Sequence, residues 1–374
     1  MGVRLLALAL ALALALGLTV AGCGGGGGDS GTAELTAADA VAAEQPPATP
    51  LDHQATAGYD AQGWAIWQRR SAPVYSGAHA LVGDPSVLRD GNLLRMFHTC
   101  YDVERQGPAI CQATSVDGLA WTPVPMPGSL PGRMLTQRPG KWDDTHETPL
   151  AIRFRGEVLL YYAGYRDRGG HLKSFPIQIG LATSIDGVHF TLASDEPVLT
   201  VSPAGFDADA VFSPAIVEHQ GRLVMLYTAY CMDTCTRAQG VYLMAATSDD
   251  GRRWTRIEQP VIDPSSMPPG VSGIAEVHLS QGPDQQYYLF ATYLYEAGQG
   301  HEIGIGRAPS PLGPWQLSAA PIVRRSAAGF DDLGPIAPTV LIEAGQARMW
   351  FHGFSSGQQV QIGYAQATWP LHAP

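Results

Sequence analysis

Apolar residues in this chain fall into short runs separated by Gly, Pro, Asn and Asp. LLRMFHTCY (93–101) and VLLYYAGY (158–165) are typical runs, rich in aromatic and aliphatic residues. Runs of this length between turn residues predict β-strands joined by tight turns. The pattern therefore indicates an all-β protein.

One hairpin recurs along the chain. The segment ATSVDGLAW (113–121) returns as ATSIDGVHF (182–190), as ATSDDGRRW (246–254) and, in weaker form, as APSPLGPW (308–315). In each copy a strand ends at the Ser, Asp-Gly forms the turn, and an aromatic residue starts the outgoing strand. We expect this aromatic residue to pack between neighbouring sheets.

Other parts of the repeat occur five times. An aromatic residue followed by Pro six or seven positions later also occurs upstream, in WQRRSAPV (67–74). Apolar second strands are found at 93–101, 158–165, 223–230, 287–295 and 348–354. Five four-stranded units of about 60–70 residues predict a five-bladed β-propeller. The last unit lacks a fourth strand of its own, which segment 64–70 can supply to close the ring. The alternative is a β-sandwich with similar hairpins.

Acidic residues recur near the start of the first strand of successive blades, the strand that lines the central channel. They are Asp84, Glu147, Asp209 and Glu276, at spacings of 63, 62 and 67 residues, with Asp207, Asp331 and Asp332 nearby in blades three and five. Carboxylates that converge repel each other and lose hydration, so some of their pKa values should be raised. One acid and one base is the division of labour in glycoside hydrolysis. The alternative is that each acid caps a strand at the solvated face.

These motifs resemble those of the five-bladed glycosidases. The resemblance rests on Asp84-Pro85, the Ser-x-Asp-Gly-x-x-Trp hairpin and the later acids, and it covers about residues 64–368. The group includes the arabinanase and xylosidase family, the invertase and levansucrase families, and the mannoside phosphorylases. The arabinanase-type pattern implies Asp84 as general base, Asp209 as the residue that tunes and orients, and Glu276 as general acid. Glu147-Thr148-Pro149 has the Glu-x-Pro form of the acid in that family, which Glu276 lacks, so Glu147 is the rival acid.

The resemblance also narrows the chemistry. The Asn-Asp-Pro-Asn and Arg-Asp-Pro motifs of the invertase type do not occur in this sequence, which argues against sucrose or fructan as substrate. A phosphorylase needs a basic phosphate pocket and usually works inside cells. The export that the start of the sequence predicts, as described below, therefore argues against a phosphorylase.

Five other side chains are candidates for sugar contacts. They are His98, His146, His278, His352 and Trp142. The histidines could bind sugar hydroxyls or a metal, and Trp142 could stack on a sugar ring; the alternative for each is a structural role. The sequence identifies no cofactor with certainty, and a structural Ca²⁺ or other cation on the propeller axis stays an open alternative.

The first 23 residues are separate from the repeat. A basic residue, an apolar run and the ending Val20-Ala21-Gly22-Cys23 resemble a bacterial lipoprotein signal peptide. We therefore expect a signal peptide at 1–22, a lipidated Cys23 with a flexible Gly/Ala/Pro-rich linker over 23–58, and a propeller domain over 59–374. An uncleaved membrane anchor is the alternative. Gly24 after the cysteine favours the outer membrane, so the expected location is the bacterial cell envelope.

The remaining cysteines fit an exported protein. Among the three pairings of the other four, Cys100–Cys111 and Cys231–Cys235 are preferred because each pair flanks a single loop. The C-x3-C of the second pair is also a zinc half-site, although no partner pair lies nearby. The formal net charge of −11 argues against nucleic acid as a partner.

The sequence thus supports two hypotheses from different classes. The first is an exported, lipid-anchored, monomeric glycoside hydrolase that acts on a poly- or oligosaccharide, most simply with inversion. The second is a non-catalytic propeller lipoprotein that binds carbohydrate or a protein partner.

Overall fold

A computed structural model describes residues 58–373, apart from 78–80, 103–106, 127–130, 136, 167–174, 263, 297–298, 344 and 358–359. The signal peptide, most of the linker and Cys23 lie outside these residues. The described part of the chain forms twenty β-strands and one short 3₁₀ helix, Pro264–Ser266. No helix in this part is long and apolar enough to cross a membrane.

The strands form five antiparallel four-stranded blades. The chain begins with β1 (Gln68–Arg69), which belongs to the last blade. Blade one contains β2 (Val82–Asp90), β3 (Leu93–Asp102), β4 (Gly107–Ser115) and β5 (Thr122–Pro123). Blade two contains β6 (Thr145–Phe154), β7 (Glu157–Tyr165), β8 (Gln178–Ser184) and β9 (Thr191–Leu192). Blade three contains β10 (Ala210–His219), β11 (Arg222–Cys231), β12 (Gly240–Ser248) and β13 (Thr255–Ile257). Blade four contains β14 (Gly273–Gln281), β15 (Tyr287–Leu294), β16 (His301–Ala308) and β17 (Gln316–Leu317). Blade five contains β18 (Gly334–Glu343), β19 (Gln346–Phe354) and β20 (Val360–Thr368).

The N-terminal strand closes the ring, as the sequence predicted. Strand β1 pairs antiparallel with β20, with Gln68 opposite Gln366 and Arg69 opposite Ala365. The first and last blades therefore belong to one continuous ring, and the predicted five-bladed β-propeller is confirmed.

The recurring hairpin links each blade to its neighbour. Within the first copy, Ser115 Oγ accepts the Gly118 amide at 2.8 Å. The carbonyl of Gly118 then accepts a hydrogen bond from Trp350 Nε1 of blade five at 2.7 Å. In the next two copies, the Gly187 carbonyl accepts from Gln112 Nε2 at 2.8 Å, and the Gly251 carbonyl from Tyr161 Oη at 2.6 Å. Three of the four copies thus provide a carbonyl for the preceding blade.

The aromatic residue after each turn packs between the sheets, as expected. Trp121 lies edge-on to Trp350 with ring centroids 6.0 Å apart, and Phe190 lies edge-on to Phe97 at 5.5 Å. These rings bury large apolar areas with a defined geometry, so they fix the angle between blades as well as stabilising it.

The two predicted disulfides are present. Cys100 is bonded to Cys111 across the β3–β4 loop, and Cys231 to Cys235 at the end of β11. The zinc alternative for the second pair is therefore not needed.

The ring closure depends on a buried ion pair. Arg69 contacts Asp331, whose side chain has no solvent exposure, and Ser326 Oγ also bonds this carboxylate at 2.5 Å. Removing one partner of a buried pair leaves an uncompensated charge and typically costs about 3–5 kcal/mol. We predict that Arg69→Ala lowers the free energy of unfolding by about 3 kcal/mol in urea titrations. The matched control is Arg89→Ala, which breaks a partly exposed pair with Glu343 and should cost about 1 kcal/mol or less. Equal losses in both variants would contradict this account of ring closure.

Candidate active site

The innermost strand of every blade is irregular at an equivalent point. In β2, β6, β10, β14 and β18 the pairing with the second strand shifts register, as it does at a β-bulge. A non-glycine residue with φ of 46° to 50° lies at each shift: Asp84, Thr148, Ser213, Glu276 and Ala337. A positive φ costs a residue with a side chain about 1–3 kcal/mol, and such strain concentrates at functional sites. We call these five residues the axial positions.

A proline follows four of the five axial positions. The dipeptides are Asp84-Pro85, Thr148-Pro149, Ser213-Pro214 and Ala337-Pro338, whereas Glu276 is followed by Val277. Proline cannot donate to the strand ladder, so it is tolerated where a bulge already interrupts that ladder. The proline after Asp84 therefore marks the bulge, and the bulge turns the Asp84 side chain toward the axis.

Threonine hydroxyls hold the axial positions from the preceding blade. Thr99 Oγ1 accepts the amide of Thr148 at 3.0 Å, and Thr228 Oγ1 accepts the amide of Glu276 at 2.9 Å. Thr292 Oγ1 accepts the amide of Ala337 in the same way at 3.0 Å. Each bond joins one blade's second strand to the next blade's bulge, so the backbone at the axis is fixed by its neighbour.

The axial positions surround one cavity of about 30 Å³. Its lining residues come from all five blades: Asp84, Pro85, Ser86, Thr148, Pro149, Leu150, Ser213, Pro214, Glu276, Val277, His278, Ala337, Pro338 and Thr339. This space is enough for water, which needs about 10–15 Å³ of such space.

Two of the five axial positions carry a carboxyl group. Asp84 and Glu276 both line the cavity, and each residue is only 4% exposed. They belong to blades one and four, which are not neighbours in the ring. The two carboxyl groups therefore face the cavity from separate blades, with Ala337 between them on one side and Thr148 and Ser213 on the other.

Asp84 is held by donors on both oxygens. Thr99 Oγ1 donates to Oδ2 at 2.8 Å, and Nδ1 of the buried His352 lies 3.1 Å from Oδ1. Hydrogen bonds of this kind favour the ionised form of a carboxyl group. The geometry suits a general base, and it gives His352 a direct place beside the candidate site.

Glu276 lies beside Tyr230. Burial raises the pKa of Tyr230, and the negative charge of Glu276 raises it further, which places this phenol close to the carboxyl group. Tyr230 packs edge-on against Phe212 at 4.8 Å in a buried cluster. Burial favours the neutral form of a carboxyl group, which is the form that a general acid needs.

Asp209 lies away from the cavity, in contrast to the sequence expectation. Its carboxylate accepts hydrogen bonds from the amides of Met232, Asp233 and Thr234 at 2.6–3.0 Å, and from Thr234 Oγ1 at 2.5 Å. Burial raises the pKa of Asp209, but these hydrogen bonds outweigh it and hold the pKa below the usual value. The side chain closes the loop after β11 that also contains the Cys231–Cys235 disulfide.

Glu147 is buried but is not among the described residues that line the cavity. It precedes the axial residue Thr148 by one position, and Tyr165 Oη donates to its Oε1 at 2.7 Å. A one-residue offset in a strand turns the side chain to the other face. Of the two candidate acids, Glu276 is the one that lines the cavity.

The other acids near the blade starts make structural contacts. Asp207 accepts hydrogen bonds from Tyr227 Oη and Arg256 Nε, both at 3.0 Å. Asp331 takes part in ring closure, as described above, and Asp332 accepts from Ser356.

Only one predicted histidine lines the cavity. Burial lowers the pKa of His278 to about 4, so this side chain is neutral near pH 7. His98 donates from Nδ1 to the Thr99 carbonyl at 3.0 Å. His146 packs against Tyr162, with its Nε2 3.5 Å from Asp143 Oδ2.

The side chain of Trp142 makes contacts within the fold rather than with the cavity. Its ring stacks on Tyr162 with centroids 6.3 Å apart, and its Nε1 donates to the Asp195 carbonyl at 2.8 Å. These contacts place it at the outer part of blade two, apart from the residues that line the cavity.

A metal site is not assigned to the axis. Within the described ranges no group of three or more His, Cys, Asp or Glu residues is placed to hold a metal ion. The axial lining offers two carboxyl groups from non-adjacent blades, with hydroxyl and apolar side chains between them.

Two residues that the sequence did not single out belong to the cavity. Thr148 and Ser213 occupy the axial positions of blades two and three. The signal that could have found them is the following proline, which aligns them with Asp84 and Ala337 at steps close to the blade period.

A family model supports the resemblance to propeller glycosidases. The glycosyl hydrolases family 32 N-terminal domain matches residues 150–273, about a third of the chain. The matched segment covers blades two and three and includes neither Asp84 nor Glu276. No curated protein matches the sequence.

Solved structures share the fold at low identity. An endo-arabinase from Bacteroides thetaiotaomicron is 15% identical with a TM-score of 0.57, over 79% of this chain and 95% of that one. A thermostable family-43 glycoside hydrolase is 17% identical with a TM-score of 0.55, over 78% and 94%. An N-acetylgalactosamine deacetylase from F. plautii, in complex with blood group B trisaccharide, is 16% identical with a TM-score of 0.58, over 80% and 96%. The family model, the endo-arabinase and the family-43 glycoside hydrolase confirm the resemblance to the propeller glycosidases, whereas the deacetylase shows the shared fold alone.

The hydrogen bonds of Asp209 generate a prediction about stability. A carboxyl group with a depressed folded-state pKa stabilises the fold above its unfolded pKa, and this contribution is lost as pH falls through the folded value. We predict that Asp209→Asn lowers the free energy of unfolding by about 1–2 kcal/mol at pH 7, and that the difference from wild type shrinks below about pH 4. Urea titrations at several pH values measure this.

The matched control for this test is Asp233→Asn, because Asp233 is an exposed carboxylate in the same loop. Its substitution should leave stability nearly unchanged. An Asp209→Asn variant with wild-type stability throughout would show that the loop does not depend on this carboxylate.

Proposed function

We propose that this protein is a glycoside hydrolase that cleaves a glycosidic bond of an oligo- or polysaccharide with inversion. Asp84 acts as the general base and Glu276 as the general acid. The observation that carries the proposal is the placement of these two buried carboxyl groups on non-adjacent blades around one water-sized cavity. The family model and the glycoside hydrolases of the same fold support this reaction class.

The proposed reaction assigns one role to each carboxyl group. Ionised Asp84 accepts a proton from a water molecule, and the water oxygen forms a bond to the anomeric carbon. The bond from that carbon to the leaving oxygen breaks, and the leaving oxygen takes a proton from neutral Glu276. Thr99 and His352 keep the Asp84 carboxylate oriented during this step.

The water-sized space beside the two carboxyl groups supports inversion. Inverting glycosidases keep their two carboxyl groups about 6.5–9.5 Å apart, so that water fits beside the sugar, whereas retaining enzymes need about 5–5.5 Å. Here a cavity with room for water separates the two groups.

The cellular setting is part of the proposal. The lipoprotein-like start of the sequence supports a signal peptide at 1–22, lipid attachment at Cys23 and a place in the cell envelope. An envelope enzyme of this kind would meet polysaccharide outside the cytoplasm, as a monomer on a tether.

One observation favours a second candidate function. Three of the five axial positions carry no carboxyl group, and neither Glu147 nor Asp209 lines the cavity, so the propeller could bind a glycan without cleaving it. A binding protein of this kind would keep its affinity when Asp84 or Glu276 is replaced, provided that neither carboxyl group contacts the ligand.

The test is a panel of plant and bacterial oligosaccharides and 4-nitrophenyl glycosides, with sugar release measured for wild type and variants. We predict that Asp84→Asn and Glu276→Gln each lower kcat by about 10²–10⁴-fold, because each removes one proton transfer. Proton NMR of the first product should show the anomer opposite to that of the substrate.

The control variant in this panel is Glu147→Gln, which removes the rival acid but none of the residues that line the cavity. It should retain activity within about threefold. A large loss in Glu147→Gln together with an active Glu276→Gln would transfer the acid role to Glu147. Turnover by both Asp84→Asn and Glu276→Gln at the wild-type rate would refute the catalytic assignment.

A further inference from the structure

Two hydroxyl groups at the axis have no partner in the described part of the chain. Thr148 Oγ1 and Ser213 Oγ are buried and form no hydrogen bond there, and their residues are only 5% and 8% exposed. Both residues line the axial cavity. Buried polar atoms are nearly always satisfied, and a hydroxyl group without a protein partner is normally bonded to water.

The cavity has the size and the chemistry of a buried water site. Its volume of about 30 Å³ accepts water. Buried waters need two to four polar partners. Asp84, Thr148, Ser213 and Glu276 provide polar side chains around the space, whereas Ala337 on blade five provides a methyl group.

We infer that the axial cavity binds the water that attacks the sugar, and that Thr148 and Ser213 hold this water. This inference rests on the proposed function, and it identifies where water, the second substrate of that reaction, is bound. A glycan that lies across the mouth covers the cavity and blocks the direct route from bulk water. The water that reaches Asp84 must then already be inside.

The order of residues around the ring gives the water a second role. On one side the axial positions run Asp84, Thr148, Ser213, Glu276, so that two hydroxyl groups lie between the two carboxyl groups. On the other side the axial position is Ala337, and the hydroxyl group that blade five contributes to the lining, Thr339 Oγ1, already accepts the Val87 amide at 3.2 Å. Water held by the two hydroxyl groups therefore connects the base with the acid along blades two and three.

This connection balances the protons of one turnover. After hydrolysis, Asp84 carries the proton taken from water and Glu276 lacks the proton given to the leaving oxygen. Each hydroxyl group or water in the cavity accepts one proton and donates another, so a proton leaves Asp84 and one arrives at Glu276. Both carboxyl groups then return to their starting states without a co-reactant.

The test uses two variants that remove a hydroxyl group with little change in shape, Thr148→Val and Ser213→Ala, and their combination. Thr145→Val is the matched control, since Thr145 is a buried threonine on the same strand outside the cavity lining. The first readout needs no activity. In protein labelled at alanine methyl groups, the Ala337 methyl should show a nuclear Overhauser effect to water, and the double variant should lose it.

The second readout is kinetic, with the best substrate of the glycan panel. One lost hydrogen bond changes a rate by about tenfold at most, so we expect kcat to fall about tenfold in each single variant and further in the double variant. KM should change little, because the cavity does not hold the sugar. Thr145→Val should stay within about twofold of wild type.

The outcomes separate the two proposals. Absence of the water signal at Ala337 in wild type overturns the inference, whatever the activity. A water signal with unchanged kcat in the double variant also overturns it, because the water would then have no part in the reaction. If wild type cleaves no glycan of the panel, the proposed function fails and the role of the water fails with it, while a water signal would still confirm the cavity as a water site.

Discussion

The structure depends on one constraint that is repeated five times. The innermost strand of each blade must bring a residue with positive φ to the axis, and for three blades a threonine on the preceding blade fixes that backbone by accepting its amide. This conformation is costly for a residue with a side chain, so it persists only where the surrounding blades enforce it. The same constraint that packs the centre of the ring therefore decides which five side chains face the cavity.

Contacts between neighbouring blades away from the axis show how the ring can enforce this geometry. The recurring hairpin offers a carbonyl to the preceding blade, and its aromatic residue packs between the sheets. Strand β1, with Arg69 bonded to Asp331, completes the circle. Because every pair of adjacent blades is joined by at least one of these hydrogen bonds, the axial residues are free to vary in chemistry. Blades one and four use this freedom for carboxyl groups, and blades two and three for hydroxyl groups.

The sequence predicted the ring well and the cavity only in part, for one physical reason. Blade number, ring closure and disulfides depend on repeats and local spacing, which can be counted directly. Which side chain faces the axis depends on register, and an offset of one residue turns it away. The blade period therefore identified the axial residues Asp84 and Glu276. In blades two and three it selected Glu147 and Asp209, which lie one and four residues before the axial positions of their blades. The hydrogen bonds that Asp209 accepts from the loop after β11 come from residues more than twenty positions away along the chain. No spacing rule reveals such bonds.

The central claim is that Asp84, as the base, and Glu276, as the acid, face each other across a water-filled space. A crystal structure of the propeller with an oligosaccharide bound to the Glu276→Gln variant tests it most directly. The account predicts a sugar across the mouth of the cavity, side chains at 84 and 276 about 6.5–9.5 Å apart, and water between Asp84 and the anomeric carbon. A sugar bound elsewhere on the propeller, or an anomeric carbon out of reach of both side chains, would contradict it.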